Sequence, residues 1–138
     1  MSELEALNTY LREWQDDPRR VRSFFLRLLE KLRELDAGLD FVVREGVSAS
    51  LRARASLGSE TERLFCLVDI VQDADGPWLS VCFYADLVTD HDQRGNLVPR
   101  GLLGEDGYCF DMEESDPEAE DYVLDRVAEA HGTVLFSH

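Results

Sequence analysis

"DFVVREGVSASLRARASL", Asp40 to Leu57, is the stretch that decides the fold class. Upstream of it apolar residues recur every three or four positions; inside it they recur every two. The first period is that of an amphipathic helix, the second that of a half-buried strand. After Glu45-Gly46, which reads as a hairpin turn, Ala49, Leu51, Ala53 and Ala55 face one way. Ser50, Arg52 and Arg54 face the other. A chain that changes period here mixes helices with a sheet.

Upstream, Ser2-x-x-Glu5 has the form of a capping box. Leu4, Leu7, Leu11 and Trp14 then predict a helix of about four turns, ending at Asp16-Asp17-Pro18. Asp17 suits an N-cap with Pro18 at the first helical position. The stripe Val21, Phe24, Phe25, Leu28, Leu29, Leu32 and Leu35 predicts a second helix, with Gly38 as its C-cap. Its outer face carries Arg19, Arg20, Arg22, Arg27, Lys31 and Arg33.

Downstream, "RLFCLVDIVQ" is apolar on both faces apart from Asp69 and predicts a central strand. Asp73-Ala74-Asp75-Gly76-Pro77 is a turn, and "WLSVCFYADLV" a further strand with Leu79, Val81, Phe83 and Ala85 on one face and Ser80, Cys82 and Tyr84 on the other. "GYCFDM" suggests a short fifth strand. Connections this short make the pairing antiparallel, as a meander. Ser115-Asp116-Pro117-Glu118 opens a third helix that Gly132 is expected to end, with His131 in its last turn and "TVLFSH" as a tail or edge strand. The expected fold is α+β: two N-terminal helices, a four- or five-stranded antiparallel meander, and a C-terminal helix packed on one sheet face. The 138 residues suit a single domain, 1–138.

The net charge is −15. Residues 1–57 hold 10 basic and 10 acidic side chains, residues 58–138 hold 4 and 19, so the whole excess lies in the second part. Such an excess repels phosphate backbones and anionic lipid surfaces, which argues against nucleic acid and membranes as partners. It favours encounter with a basic protein. No basic n-region with an apolar run opens the chain, and Cys66, Cys82 and Cys109 are odd in number and widely spaced. The expectation is a cytoplasmic protein with reduced thiols.

Chemistry-bearing motifs are few. Asp90-x-Asp92-x-Arg94-Gly95 begins like a calcium loop, but Arg94 stands where an oxygen donor belongs and Gly101 where a bidentate Glu belongs. An ordinary hairpin-type turn is the favoured account of these residues. A cation site of another design would draw on Asp90, Asp92, Glu105, Asp106 and Asp111. Cys109 with His91 resembles a nucleophile and base only in composition, because Glu105, Asp106 and Asp111 disfavour a thiolate. Zinc needs closer cysteine spacing, and His91, His131 and His138 offer no ligand pair.

Arg44, Arg52 and Arg54 form the more informative group. Arg52 and Arg54 share a strand face, and Arg44 lies across the hairpin. Such a row clamps a carboxylate or phosphate, or pairs internally with acids such as Asp69 and Asp86. Gly101 to Gly107 lacks both the phosphate-loop ending and the dinucleotide setting. A long loop so specific in residue choice is a place to look for binding. No cofactor motif and no catalytic constellation is visible. The expected function is a non-enzymatic acidic protein-binding module that grips its partner through the acidic C-terminal half: an adaptor, an inhibitor or a chaperone-like protein, as monomer or dimer. The alternative is a metal-dependent or small-anion-binding protein using the Asp90–Asp111 loop or the arginine face.

Overall fold

The computed structural model describes residues 3–44, 48–58 and 61–136. Helices α1 (Glu3–Glu13) and α2 (Arg22–Glu34) lead. Strands β1 (Gly38–Arg44), β2 (Ser48–Ser56), β3 (Glu62–Asp73) and β4 (Gly76–Tyr84) follow. After a short 3-10 turn at Ala85–Leu87 come β5 (Asn96–Leu102), β6 (Glu105–Met112) and helix α3 (Pro117–Phe136). The strands form one antiparallel sheet in the order β1-β2-β3-β4-β6-β5.

The α+β layout is as expected, with two corrections to the sheet. Among the described residues it has six strands, and its last hairpin departs from a meander: β6 pairs with β4, and β5 lies outside it. "NLVPRGL" reads as a loop because Pro99 and Gly101 interrupt it and only Leu102 is buried. An edge strand tolerates a proline, since one row of its N–H groups faces solvent.

The covered sheet face is built by alternation. In β2 the buried residues are Ala49, Leu51, Ala53 and Ala55, as the period of two requires. Val68 and Ile70 of β3, Leu79, Val81 and Phe83 of β4, and Phe110 and Met112 of β6 continue the same face. At Ala53/Arg54 the register slips, leaving Phe65 as an extra residue on β3. Phe65 is fully buried and meets the His131 ring of α3 edge-on at 5.3 Å. From the helices, Leu7, Phe24, Phe25, Leu28, Leu32, Val123 and Val127 close the core.

Helix ends differ from the sequence reading in instructive ways. α1 is shorter than four turns, and Leu4 stands exposed while Leu7 and Trp14 are buried. α2 begins at Arg22, so Pro18 occupies a turn closed by Arg20 N–H donating to Asp17 O at 3.1 Å. The N-cap is Val21 rather than Asp17, but the Asp17 carboxylate still accepts from the N–H groups of Val21 (3.0 Å) and Arg22 (3.1 Å). At the other end Asp36, at φ 57°, takes the left-handed position expected of Gly38. Asp36 N–H donates to Arg33 O and Ala37 N–H to Leu32 O, a Schellman closure. α3 opens as read, with Asp116 Oδ1 accepting from Ala119 N–H and Pro117 at the first position. It then runs through Gly132 to Phe136, so His131 lies inside the helix and "TVLF" extends it. The Ser2 capping residue, the Glu45-Gly46 turn and His138 lie outside the described residues.

Candidate functional site

The Asp90 loop is held by the protein itself. Asp90 Oδ1 accepts from Arg94 N–H (2.9 Å) and Tyr122 Oη–H (2.7 Å), and Oδ2 accepts from Gly95 N–H (2.9 Å). Burial pushes the Asp90 carboxyl up, but these bonds outweigh it and hold it below its ordinary value. Tyr122 Oη also accepts from Asp92 N–H, and the Arg126 guanidinium covers its ring at 4.7 Å. Burial and the bond to Asp90 raise the Tyr122 hydroxyl. The Asx-type closure seen here is what short Asp-Gly loops do. The remaining acids are placed elsewhere. Asp106 accepts from Arg100 N–H at the tip of the β5–β6 hairpin, and Asp111 sits opposite Ser80 on the open sheet face. Glu105 lies at the hairpin tip, paired with Leu102. Among the described residues no three His, Cys, Asp or Glu side chains gather as a cation site.

Cys82 and Cys109 are direct cross-strand partners, with Cα atoms 4.1 Å apart, and are joined as a disulfide. This corrects the expectation of three reduced thiols. Nothing in their sequence spacing marks the pair; the β4–β6 register creates it. Cys66 is the free, buried cysteine, and burial raises its thiol, with Asp69 adding to the effect. Burial lowers the His131 imidazole.

The arginine face divides. Arg54 is spent internally, bonded to Asp40 and, at 3.3 Å, to Glu62. Asp86 pairs with Arg63 at 3.4 Å. Arg44 and Arg52 have no ion-pair partner among the described residues, and Arg52 Nε is buried without a hydrogen bond. Both line a cleft of about 290 Å³ on the open face, together with Ser48, Ser50, Leu67 and Asp69. Its remaining wall is the hairpin tip, Gly101, Leu102 and Leu103. The tip folds close because Gly101 has no side chain: a Cβ there would collide with Val98. The turn residues Leu103 and Gly104 both have positive φ, 52° and 88°. Leu103 is 61% exposed there, on the rim of the cleft. Thus the loop and the arginines, separate in sequence, share one site.

A second cleft was not legible in the sequence. It measures about 330 Å³ and lies between the end of α1 and the β3–β4 hairpin. Tyr10 and Trp14 wall it, and Glu13, Asp16 and Asp73 bring carboxylates. The two rings meet edge-on at 6.0 Å. Trp14 is 8% exposed, and its Nε1 has no hydrogen-bond partner among the described residues. Arg19 links this cleft to the start of the acidic C-terminal stretch. Its guanidinium donates to both Asp73 oxygens at 3.1 Å and to Glu113 O at 3.3 Å, with Asp75 at 3.9 Å. Glu13, Asp16, Asp75, Glu113 and Glu114 are exposed around it. A sequence signal existed only in part: Tyr10 and Trp14 are four apart on one helix face, but their acidic neighbours come from the distant hairpin.

No helix among the described residues is long and apolar enough to cross a membrane. No protein-family model, curated protein or solved structure matches the chain.

Proposed function

We propose that the protein is a non-enzymatic binding module for a basic protein partner, gripped at the acidic, aromatic cleft between α1 and the β3–β4 hairpin. One observation carries this reading: Tyr10 and Trp14 stand beside Glu13, Asp16 and Asp73 in a concave site, and one arginine, Arg19, offsets the carboxylates gathered there. Aromatic faces and carboxylates together favour a guanidinium or ammonium group, through ring quadrupole and ion pairing. The −15 charge adds long-range steering toward such a partner.

The test is capture from native extract on the intact chain at low and at high salt, beside the variant Glu13→Lys/Asp16→Lys/Asp75→Lys. The expected result is one stoichiometric basic protein, lost at high salt and lost by the variant. Capture unaffected by the variant, or no stoichiometric partner at low salt, contradicts the reading.

A further inference from the structure

The open sheet face holds two unlike charges that do not meet. Arg52 of β2 and Asp69 of β3 line the same cleft, and both are half-buried. Neither forms an ion pair or a side-chain hydrogen bond among the described residues. Their placement in the sheet makes them near neighbours that a long side chain could join. Arg52 is opposite Leu67, and Asp69 is opposite Ser50, so the two are diagonal neighbours. Diagonal positions are about 7–8 Å apart at the backbone. Half-buried charges lose part of their hydration, and leaving both without a partner costs free energy unless something else completes them. Arg44 adds a second cation on the same wall.

The rest of the cleft is apolar or small. Leu67 is buried in its floor, and Leu102 and Leu103 face it from the hairpin tip. Leu103 holds φ 52° at a turn position that favours asparagine or glycine. The turn leaves the Leu103 side chain exposed on the cleft rim, free to contact a ligand.

We propose that this cleft binds a small zwitterion with an apolar body, of which an apolar α-amino acid is the simplest. Its carboxylate sits on the guanidinium of Arg52, supported by Arg44. Its ammonium bridges to Asp69, filling the diagonal gap. Its side chain lies among Leu67, Leu102 and Leu103. A plain anion would leave Asp69 uncompensated and repelling; a plain cation would do the same to Arg52 and Arg44. A cleft of about 290 Å³ suits a molecule of this size. The site is independent of the acidic cleft, so either can fail without the other.

The test is calorimetric titration of the intact chain with leucine and phenylalanine, and with two single-charge analogues. These are 4-methylpentanoate, which lacks the ammonium, and isopentylamine, which lacks the carboxylate. Saturable binding of the amino acids is expected, each analogue binding about tenfold more weakly or worse. Arg52→Ala is expected to abolish binding. Arg52→Lys keeps the charge and stem but loses the planar fork, so it weakens binding while preserving the fold. Asp69→Asn is expected to remove the preference for leucine over 4-methylpentanoate. Arg54→Ala, outside the cleft, is expected to leave binding unchanged. No binding by either amino acid at millimolar concentration overturns the proposal. So does binding that survives Arg52→Ala, or an analogue that binds as tightly as the amino acid.

Discussion

The two faces of the sheet obey different rules. On the covered face Leu51, Val68, Ile70, Leu79, Val81 and Phe83 are all fully buried. On the other, Ser50, Arg52, Asp69, Ser80 and Asp111 alternate with them and stay partly or fully exposed. The covered face is decided by volume and apolar area, and each position has a narrow choice of residue. The open face is decided by charge, and its residues are free to serve a ligand. Arginines make the contrast sharp. Arg19, Arg27, Arg54 and Arg63 each hold two pieces of the protein together. Arg44 and Arg52 hold nothing among the described residues.

The covered face should yield the largest loss. Phe83→Ala removes a fully buried ring that meets Phe110 edge-on at 5.9 Å. The expected loss is about 3–5 kcal/mol by urea unfolding. Arg52→Ala, by the same assay, should stay within about 0.5 kcal/mol. Similar losses for the two would break the division between faces.

The disulfide, beside the Arg54 ion pairs, gives the open face a structural role as well. It joins cysteines 27 positions apart in sequence, so its reduction should cost about 2–4 kcal/mol. A thiol count in denaturant, on protein purified without reductant, should give one reactive thiol, Cys66. A count of three would show the pair to be open.

A smaller effect, about 1–2 kcal/mol, is expected for Tyr122→Phe, which removes one donor from the Asp90 carboxylate and the acceptor of Asp92 N–H. Asp90 is depressed in the folded state, so its contribution is present above the unfolded carboxyl value of 3.8 and is lost as pH falls through the folded one. Acid unfolding of Tyr122→Phe should therefore lose less with falling pH than the parent does. Equal pH slopes would show that the loop is held by other bonds.

The smallest effect is a gain. A Cβ at Gly132 would meet nothing within 4 Å, and the residue lies inside α3. Gly132→Ala should stabilise by about 0.5–1 kcal/mol, read as a higher melting temperature. A loss would place Gly132 back at a helix end.

The sequence carried the covered face well, because burial imposes periodicity. Ala49 to Ala55 and Leu79 to Phe83 alternate as a sheet over a core demands. It carried helix ends poorly, because closure geometry tolerates several residues. Asp36 does what Gly38 was expected to do, and Gly132 does not stop its helix. It missed β5 because an edge strand needs no apolar face. The arginine cleft was half legible: Arg44 and Arg52 were visible as a row, but only the hairpin's fold brings Leu103 to them. The acidic cleft, like the Cys82–Cys109 pair, depends on pairing between distant segments, which periodicity does not encode.

The proposed entry of a basic group into the cleft beside Trp14 is open to direct test. The most direct measurement is Trp14 emission in a Trp78→Phe background during titration with an arginine-rich peptide at low salt. The account predicts a saturable change in emission that added salt reverses, that Glu13→Lys/Asp16→Lys removes, and that a glutamate-rich peptide does not produce. Emission that stays flat, or that responds equally to both peptides, would contradict it.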